Sequence, residues 1–574
     1  MPIHNADIAA IFEEIADLLE IEAANPFRIR AYRNAARVVA AHGREMHAMV
    51  KNGEDLTRLP AIGHDLALKI SEIVATGHCG FLDRLHKELP PAVTELLHIP
   101  GLGPKRVRIL YQELHVKTLA DLLDAARQGR IRHLHGFGET TEQHILHAVE
   151  ARTTKKKRFR FAVARQYGEA LASYLADTPT VERVEIAGSF RRSKETVGDI
   201  DILAVATKGS AVTQRFIAYD EVAEVLSAGD IRASVRLHCG LQVDLRVVPA
   251  QSFGAALHYF TGSKAHNIAV RRTAQERGLK VNEYGVFRGK QQIAGGTEES
   301  VYAAVGLPYI PPELREDQGE LEAARAGRLP RLVEISDLCG DLHCHTRASD
   351  GRNSLQEMAD AARQRGLSYL AITDHASRSG VLHSLDPNAV LRQMDEIDRL
   401  NAELEGITLL KGAEVEILED GGLDLPNTVL ERLDIVIGAV HSHFSLPRAK
   451  QTARVLKALD HPCITFLAHP SARLLGEREP IEADMARIIK HAGESGCFLE
   501  LDSQPARLDL DDLHCQIAKA EGVLVSINSD AHSRDDFANL VYGIGQARRG
   551  WLERGDVLNT RPLVELKELL KKTR

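Results

Sequence analysis

No run of about 18 apolar residues occurs in this chain of 574 residues, so no segment is expected to cross a bilayer as a helix. The opening stretch MPIHNADIAAIFEEIADLLE carries acids where a secretory signal needs bases and an apolar core, which predicts a cytoplasmic protein. Cysteine is scarce and scattered: Cys79, Cys239, Cys339, Cys344, Cys463, Cys497 and Cys515 are odd in number and never spaced CxxC. That pattern excludes a disulfide framework and a zinc ribbon. With 44% hydrophobic and 26% charged residues the chain also lacks the composition of a disordered or fibrous protein, and its length exceeds what one core can serve. Three or four globular domains are expected. The net charge of −8 is unevenly spread: +3 over residues 1–160, −1 over 161–334 and −10 over 335–574. A basic N-terminal region can meet phosphates, and an acidic C-terminal one can collect cations.

Residues 1 to about 150 read as short helices such as IAAIFEEIADLLEI, with the basic run KKKRFR at Lys155–Arg160 as a boundary. Short strands follow: VERVEIAG, DIDILAV and LQVDLRVVP. The Gly- and Pro-containing stretch 319–334 reads as a linker. Beyond it, YLAIT, ITLLKGAEV, LDIVIGAV, CITFLA, CFLEL and VLVSI alternate with helical stretches, the pattern of a parallel barrel. Asp374-His375, Glu414, His441, His469, Glu500 and Asp530-Ala531-His532 follow these strands. Barrel enzymes build their sites at such strand ends.

Ile99-Pro100-Gly101-Leu102-Gly103-Pro104-Lys105 has the order of a helix-hairpin-helix turn. Its glycines, Gly101 and Gly103, let backbone approach a phosphate, while N–H groups at the next helix start and the Lys105 ammonium face the anion. Leu59-Pro60-Ala61-Ile62-Gly63 is a second copy in which Ala61 takes the first glycine's place; Leu134-His135-Gly136-Phe137-Gly138 is a third. Any one copy could be an ordinary helix-joining turn. Three copies at intervals of roughly 40 residues point to sequence-independent DNA backbone binding through Gly63, Gly101, Gly103, Lys105, Gly136 and Gly138.

In Gly188-Ser189-Phe190-Arg191-Arg192 and Gly198-Asp199-Ile200-Asp201-Ile202-Leu203, strand alternation puts Asp199 and Asp201 on one face. On Leu241 to Val247 the apolar alternation leaves Asp244 on the polar face. Three convergent carboxylates repel by roughly 1 to 4 kcal/mol per pair, so divalent cations are expected to hold them. Gly188 and Ser189 offer donors to a triphosphate, with Arg192 as a charged contact. These motifs, with Tyr259-Phe260-Thr261-Gly262-Ser263, Asn267, Arg271 and Val281-Asn282-Glu283-Tyr284, resemble the family X DNA polymerases, and the resemblance covers nearly all of residues 1–320. It implies an N-terminal helical domain (1–85), helix-hairpin-helix fingers (86–155), a nucleotidyltransferase palm (156–250) and a thumb (251–318). It also implies that Asp199 and Asp201 bind both Mg²⁺ or Mn²⁺ ions and that Asp244 binds one and helps deprotonate the primer 3′-OH. Tyr259, Phe260 and Gly262 would pack beside the sugar of a dNTP, Asn267 would contact the base edge and Arg271 the template side; Gly198 belongs to the same nucleotide site. Lys264 stands where polymerase beta has an acidic residue. Lys69 matches the Schiff-base lysine of that relative, which implies a weak 5′-deoxyribose-phosphate lyase, although Asp65 replaces a basic neighbour.

Asp341-Leu342-His343-Cys344-His345 directs two imidazoles to one side of an extended segment. Together with Asp350, His375, Glu414, His441, His469, Asp530 and His532 they make nine nitrogen and oxygen donors, enough for two or three ions. Residues 335–574 resemble a PHP domain, a distorted (β/α)7 barrel with a trinuclear centre. That resemblance groups His343, His345, Glu414 and Asp530 on one metal, His441, His469 and bridging Glu414 on the second, and Asp350, His375 and His532 on the third. Mn²⁺ or Zn²⁺ is the expected occupant. The Glu500-Leu501-Asp502-Ser503-Gln504 stretch departs from the Asn-rich sequence of bacterial relatives.

The two halves together resemble bacterial family X polymerases with a PHP extension, a multidomain α/β architecture. The resemblance implies a monomeric, nucleoid-associated enzyme that fills gapped or primer-template DNA, with 3′–5′ exonuclease and abasic-site endonuclease activity in the PHP domain. The alternatives are a DNA-binding repair scaffold with an inert PHP domain and a template-independent nucleotidyltransferase.

Overall fold

Apolar residues at helical spacing build the first unit of the chain, Met1–Arg158, which is distinct from the second, Phe159–Arg574. The computed structural model describes residues 3–22, 24–42, 44–89, 91–99, 102–154, 158–378 and 384–572, so Lys155, Lys156 and Lys157 of the basic run fall outside the described residues. In the helix Asn5–Ile21, Ile8, Phe12, Ile15 and Leu19 recur every three or four positions and are buried. They join a core that also holds Leu82 and Leu85 from one expected domain and Val93, Leu96, Leu110 and Val149 from the next. The boundary expected at residue 85 therefore divides a shared core.

The second unit opens with a five-stranded sheet: β1 (Val181–Ile186), β2 (Asp199–Ala206), β3 (Val222–Ala228), β4 (Arg232–Leu237) and β5 (Gln242–Val248), in the order β1-β2-β5-β4-β3. Strands β2 and β5 are parallel neighbours, and Val243, Leu245 and Val247 of β5 are buried while Asp244 and Arg246 face the other side. The alternation read from sequence is thus the alternation observed. Helices Phe253–Thr261 and Lys264–Glu276 then pack with a small antiparallel sheet of Lys280–Asn282, Gly285–Arg288 and Gln291–Ala294.

Residues 319–334, expected as a linker, are not a free connection. Glu320–Arg325 is helical, and Leu321, Ala324 and Leu332 enter the core formed by Val270, Val301 and Tyr302. Gly319 caps the start of this short helix, and Gly327 and Pro330 follow its end; the sequence pattern reads the whole segment as a connector.

The C-terminal barrel has seven parallel strands in chain order: β6 (Gly340–Asp341), β7 (Tyr369–Ile372), β8 (Thr408–Glu416), β9 (Ile435–Ala439), β10 (Phe466–Leu467), β11 (Phe498–Asp502) and β12 (Val525–Asn528). His375–Ala376 adds a short pairing beside β8. The ends meet where Cys344 bridges Ala531, with the His345 N–H donating to the Ala531 carbonyl at 2.8 Å. The barrel is nearly closed, and its C-terminal rim collects the histidines and acids. Among the described residues no helix is long and apolar enough to cross a membrane.

Candidate active sites

The palm acids sit where two parallel strands present the same face. In the register of β2 with β5, Asp201 lies opposite Asp244. Burial, then the charges of Asp199 and Asp244, push the Asp201 carboxyl up to about 7. Asp244 accepts hydrogen bonds from Ser234 and from Gln242 Nε2, the latter at 3.0 Å. The preceding turn comes so close that only glycine fits: Gly188 has φ +65°, and a Cβ there would lie 2.6 Å from Asp201 Oδ2. A carboxyl raised by burial and by like charge gains from a divalent cation, so this donor set fits one.

The expected nucleotide residues gather around this edge. Ser189 lies in the one-turn helix Gly188–Arg191, and Gly198 immediately precedes β2. At the end of the helix Phe253–Thr261, the Tyr259 and Phe260 rings meet edge to face at 5.1 Å and Gly262 turns at φ +70°. Asn267 Nδ2 donates to the Tyr259 carbonyl at 2.7 Å, its Oδ1 is buried without a partner, and Arg271 Nε donates to the Asn267 carbonyl at 3.2 Å. Arg192 is engaged within the protein: its Nε donates to Glu316 at 2.9 Å and its Nη1 to the Thr261 carbonyl. Arg191, its neighbour in the motif, forks onto Glu298 at 2.6 and 3.0 Å, and Arg315 binds the same carboxylate. Burial opposes the charge of Glu298, yet Arg315 and Arg191 hold it at about 2. Glu298 and Glu316 escape the sequence reading because Arg191 and Arg192, which bind them, lie 107 and 124 positions away.

In the first unit, Gly63 and Gly103 cap the helices His64–Thr76 and Pro104–Leu114. A Cβ at Gly63, Gly103, Gly136 or Gly138 would meet nothing within 4 Å, which leaves room for an approaching backbone, and Gly136 has φ +82°. Lys105 follows on the first turn of its helix. Ala61, in the first-glycine position of its copy, adopts the left-handed region at φ +52°. Gly101 lies outside the described residues. Lys69 pairs with Asp65 at 2.5 Å and lines a cavity of about 370 Å³ with Phe81 and Arg84.

The barrel rim brings all nine expected ligands into one cluster centred on Glu414. Its Oε1 is 3.1 Å from His441 Nε2 and 3.0 Å from His469 Nε2; its Oε2 is 3.0 Å from His375 Nδ1, 3.4 Å from His343 Nε2 and 3.5 Å from His345 Nε2. Asp530 Oδ1 lies 3.1 Å from His345 Nε2, and Asp350 Oδ2 lies 3.3 Å from His532 and 3.5 Å from His375. Among the described residues, donor atoms within 4.8 Å of one another form three sets: His345, Asp350, His375 and His532; His343, His345 and Asp530; and His375, Glu414 and His441. His345 and His375 thus each serve two sets, while His469 reaches the cluster through Glu414. The palm acids form no set this tight.

The chemistry of the cluster fits cations. Burial disfavours charged imidazoles, but Glu414 raises His441 to about 9, and Asp350 raises His532 to about 10. The same attraction holds Asp530 and Asp350 far below the usual carboxylate range despite burial. His345 Nδ1 and His469 Nδ1 are buried without a hydrogen-bond partner. Glu500, expected at a strand end but central in β11, accepts from His343 Nδ1 at 2.8 Å and from the His469 N–H at 2.8 Å, so it orients two ligands instead of joining them. Glu416 does the same for His441 at 3.1 Å. Alternation along β8 puts Glu414 and Glu416 on one face, a signal that could have found it.

The chain matches the descriptions Helix-hairpin-helix domain over residues 3–79, SAM-like Helix-hairpin-helix tandem over 93–151, DNA polymerase beta thumb over 256–316 and PHP domain over 341–504. It is similar to the DNA polymerase/3′-5′ exonuclease PolX of Bacillus subtilis (strain 168), with 36% identity over 577 residues that cover 99% of this chain and 100% of that protein. A protein named "Probable phosphatase" from Acetivibrio thermocellus is 31% identical over 201 residues, 33% of this chain and 78% of its own length. Another so named, from Thermoanaerobacter sp. (strain X514), is 29% identical over 243 residues, 40% of this chain and 94% of its own length.

Proposed function

Because the chain belongs to the bacterial family X DNA polymerases with a C-terminal PHP domain, we propose that it fills gaps in primer-template DNA during repair and trims primer 3′ ends with its barrel. The observation that carries this is the match over the whole chain to a polymerase that is also an exonuclease. Both activities depend on divalent metal ions. Mg²⁺ or Mn²⁺ would serve the palm and Mn²⁺ or Zn²⁺ the barrel, where bound cations lower the pKa of a coordinated hydroxyl or water and neutralise phosphate charge.

Asp199, Asp201 and Asp244 would hold the palm cations, and Asp244 would receive the proton of the primer 3′-OH. The raised Asp201 carboxyl supports this, since a cation can take the place of a proton that is released near neutrality. Gly188 and Ser189 face the triphosphate of the dNTP with backbone N–H and hydroxyl donors. Asn267 Oδ1, buried and unpaired, is an acceptor left for a base edge. The hairpin turns hold DNA phosphates, with open space at each described glycine supporting a close approach. In the barrel, Glu414, Asp530 and the histidines would hold the cations, which would supply water activation, and Glu500 and Glu416 fix ring orientation. A lyase at Lys69 draws support from its cavity, and borohydride trapping on an incised abasic substrate, compared with Lys69→Ala, tests it.

The test is a labelled primer on a gapped duplex, with Mg²⁺ or Mn²⁺, followed for extension and shortening. Wild type extends and shortens; Asp199→Ala only shortens; His343→Ala with His345→Ala only extends. Shortening by the double histidine variant at the wild-type rate would make the barrel an inert scaffold. Extension of single strands without template would make the palm a template-independent transferase.

A further inference from the structure

The segment after the triphosphate turn is held by more than the palm. Arg549, at the end of the barrel helix Leu540–Arg549, donates through Nη1 to the Arg192 carbonyl at 2.9 Å and to Glu316 Oε1 at 3.0 Å. That Glu316 oxygen also receives Arg192 Nε at 2.9 Å. The second arm of Arg549 is fixed by Asp512. Nearby, Arg473 of the barrel donates to Glu195 at 2.8 Å, so both ends of the segment 192–195 are tied to the barrel. The Arg192, Glu316 and Arg549 side chains are 12%, 13% and 2% exposed, and charges so placed are weakly screened.

One carboxylate oxygen shared by two guanidinium groups, with the Lys194 ammonium 3.4 Å away, is a divided acceptor. What Arg549 takes from Glu316, Arg192 does not have. An incoming triphosphate must compete with Glu316 for Arg192. We infer that Arg549, on the PHP domain, is a positioning residue for polymerisation: it fixes the backbone at Arg192 and draws on Glu316, which leaves the Arg192 guanidinium available to the triphosphate. The inference rests on the polymerase reading above. Arg549 touches no reacting atom itself, and the two variants at its contacts act with opposite sign.

Removing Arg549 leaves Glu316 to Arg192 and Lys194; neutralising Glu316 removes the competitor. Arg549→Ala should raise the KM for dNTP by about fivefold or more with kcat within about twofold, whereas Glu316→Gln should lower that KM. Arg549→Lys keeps the charge without the fork and should fall between. The experiment is single-nucleotide gap filling by the full-length protein at saturating DNA with dNTP varied, beside binding of an α,β-imido dNTP and a thermal melt of each variant. Nucleotide-free 3′–5′ shortening should be unchanged in Arg549→Ala. Unchanged KM in both Arg549 variants, or KM shifts of the same sign in Arg549→Lys and Glu316→Gln, would overturn the inference. If Arg549→Ala fails to fold, those two variants decide it. Absence of any extension by wild type would overturn the polymerase reading, and this inference with it.

Discussion

Glu298 is a buried acid whose charge survives because Arg315 and Arg191 surround it, and its stabilising effect depends on pH in a defined direction. Its folded value of about 2 lies below the usual 4.5, so its contribution is present above pH 4.5 and is lost as pH falls towards 2. The difference corresponds to about 3 kcal/mol. Glu298→Gln should lower stability by a similar amount at pH 7 and flatten the acid limb of a denaturant-midpoint titration, since it strands the buried Arg315 and the half-buried Arg191. An acid limb identical to that of wild type would show that Glu298 does not set it. At the barrel, Glu414→Ala should cost at least about a hundredfold in 3′–5′ shortening, or roughly 3 kcal/mol, with reduced bound metal by elemental analysis and extension largely kept. These two acids differ in legibility. Glu414 lies near the end of a strand of obvious apolar pattern, as Asp199, Asp201 and Asp244 sit on strands whose alternation announces their shared face. Glu298 has no such setting: Arg191 lies 107 positions away, and Arg315, 17 positions on, lies beyond the helix that holds Glu298.

The hairpin turns show how far a local pattern reaches. Their glycine spacing was readable, and so was the helix that follows each, because capping chemistry acts over a few residues. The conformation of Ala61 was not readable, since only the built turn shows that alanine keeps the left-handed backbone at φ +52°. Ala61→Gly should therefore stabilise the first unit by about 1 kcal/mol, seen as a raised denaturant midpoint. Gly103 differs: its φ of −78° suits any residue and a Cβ meets nothing within 4 Å. Gly103→Val should leave the fold intact and weaken binding to unrelated DNA sequences about equally, with a shallower salt dependence in a filter or anisotropy assay. Sequence-selective weakening would contradict phosphate contact. Strand positions were legible for the same local reason, whereas the helix Glu320–Arg325 was hidden under a composition that resembles a connector.

At the scale of the whole chain, separate patterns were legible but their shared cores were not. The core uniting residues 3–149 and the ties between palm and barrel depend on contacts between remote segments, which leave no periodic trace. A fragment of residues 335–574 would bare Tyr542, which meets Phe161 edge to face at 5.9 Å, and would leave Arg549 without Glu316. It should melt below the fragment 159–574 in calorimetry, while residues 1–158 should fold cooperatively alone. Barrel closure also sets an order of events on the ribosome. The Leu342 N–H donates to Asn528 Oδ1 across 186 positions, so the first strand must wait for the last. At roughly 5 to 20 residues per second the wait is about 10 to 40 s. Nascent chains within that interval already carry every palm acid, while His343 and His345 stand without Asp530; the polymerase ligands are therefore all translated before the nuclease set is complete.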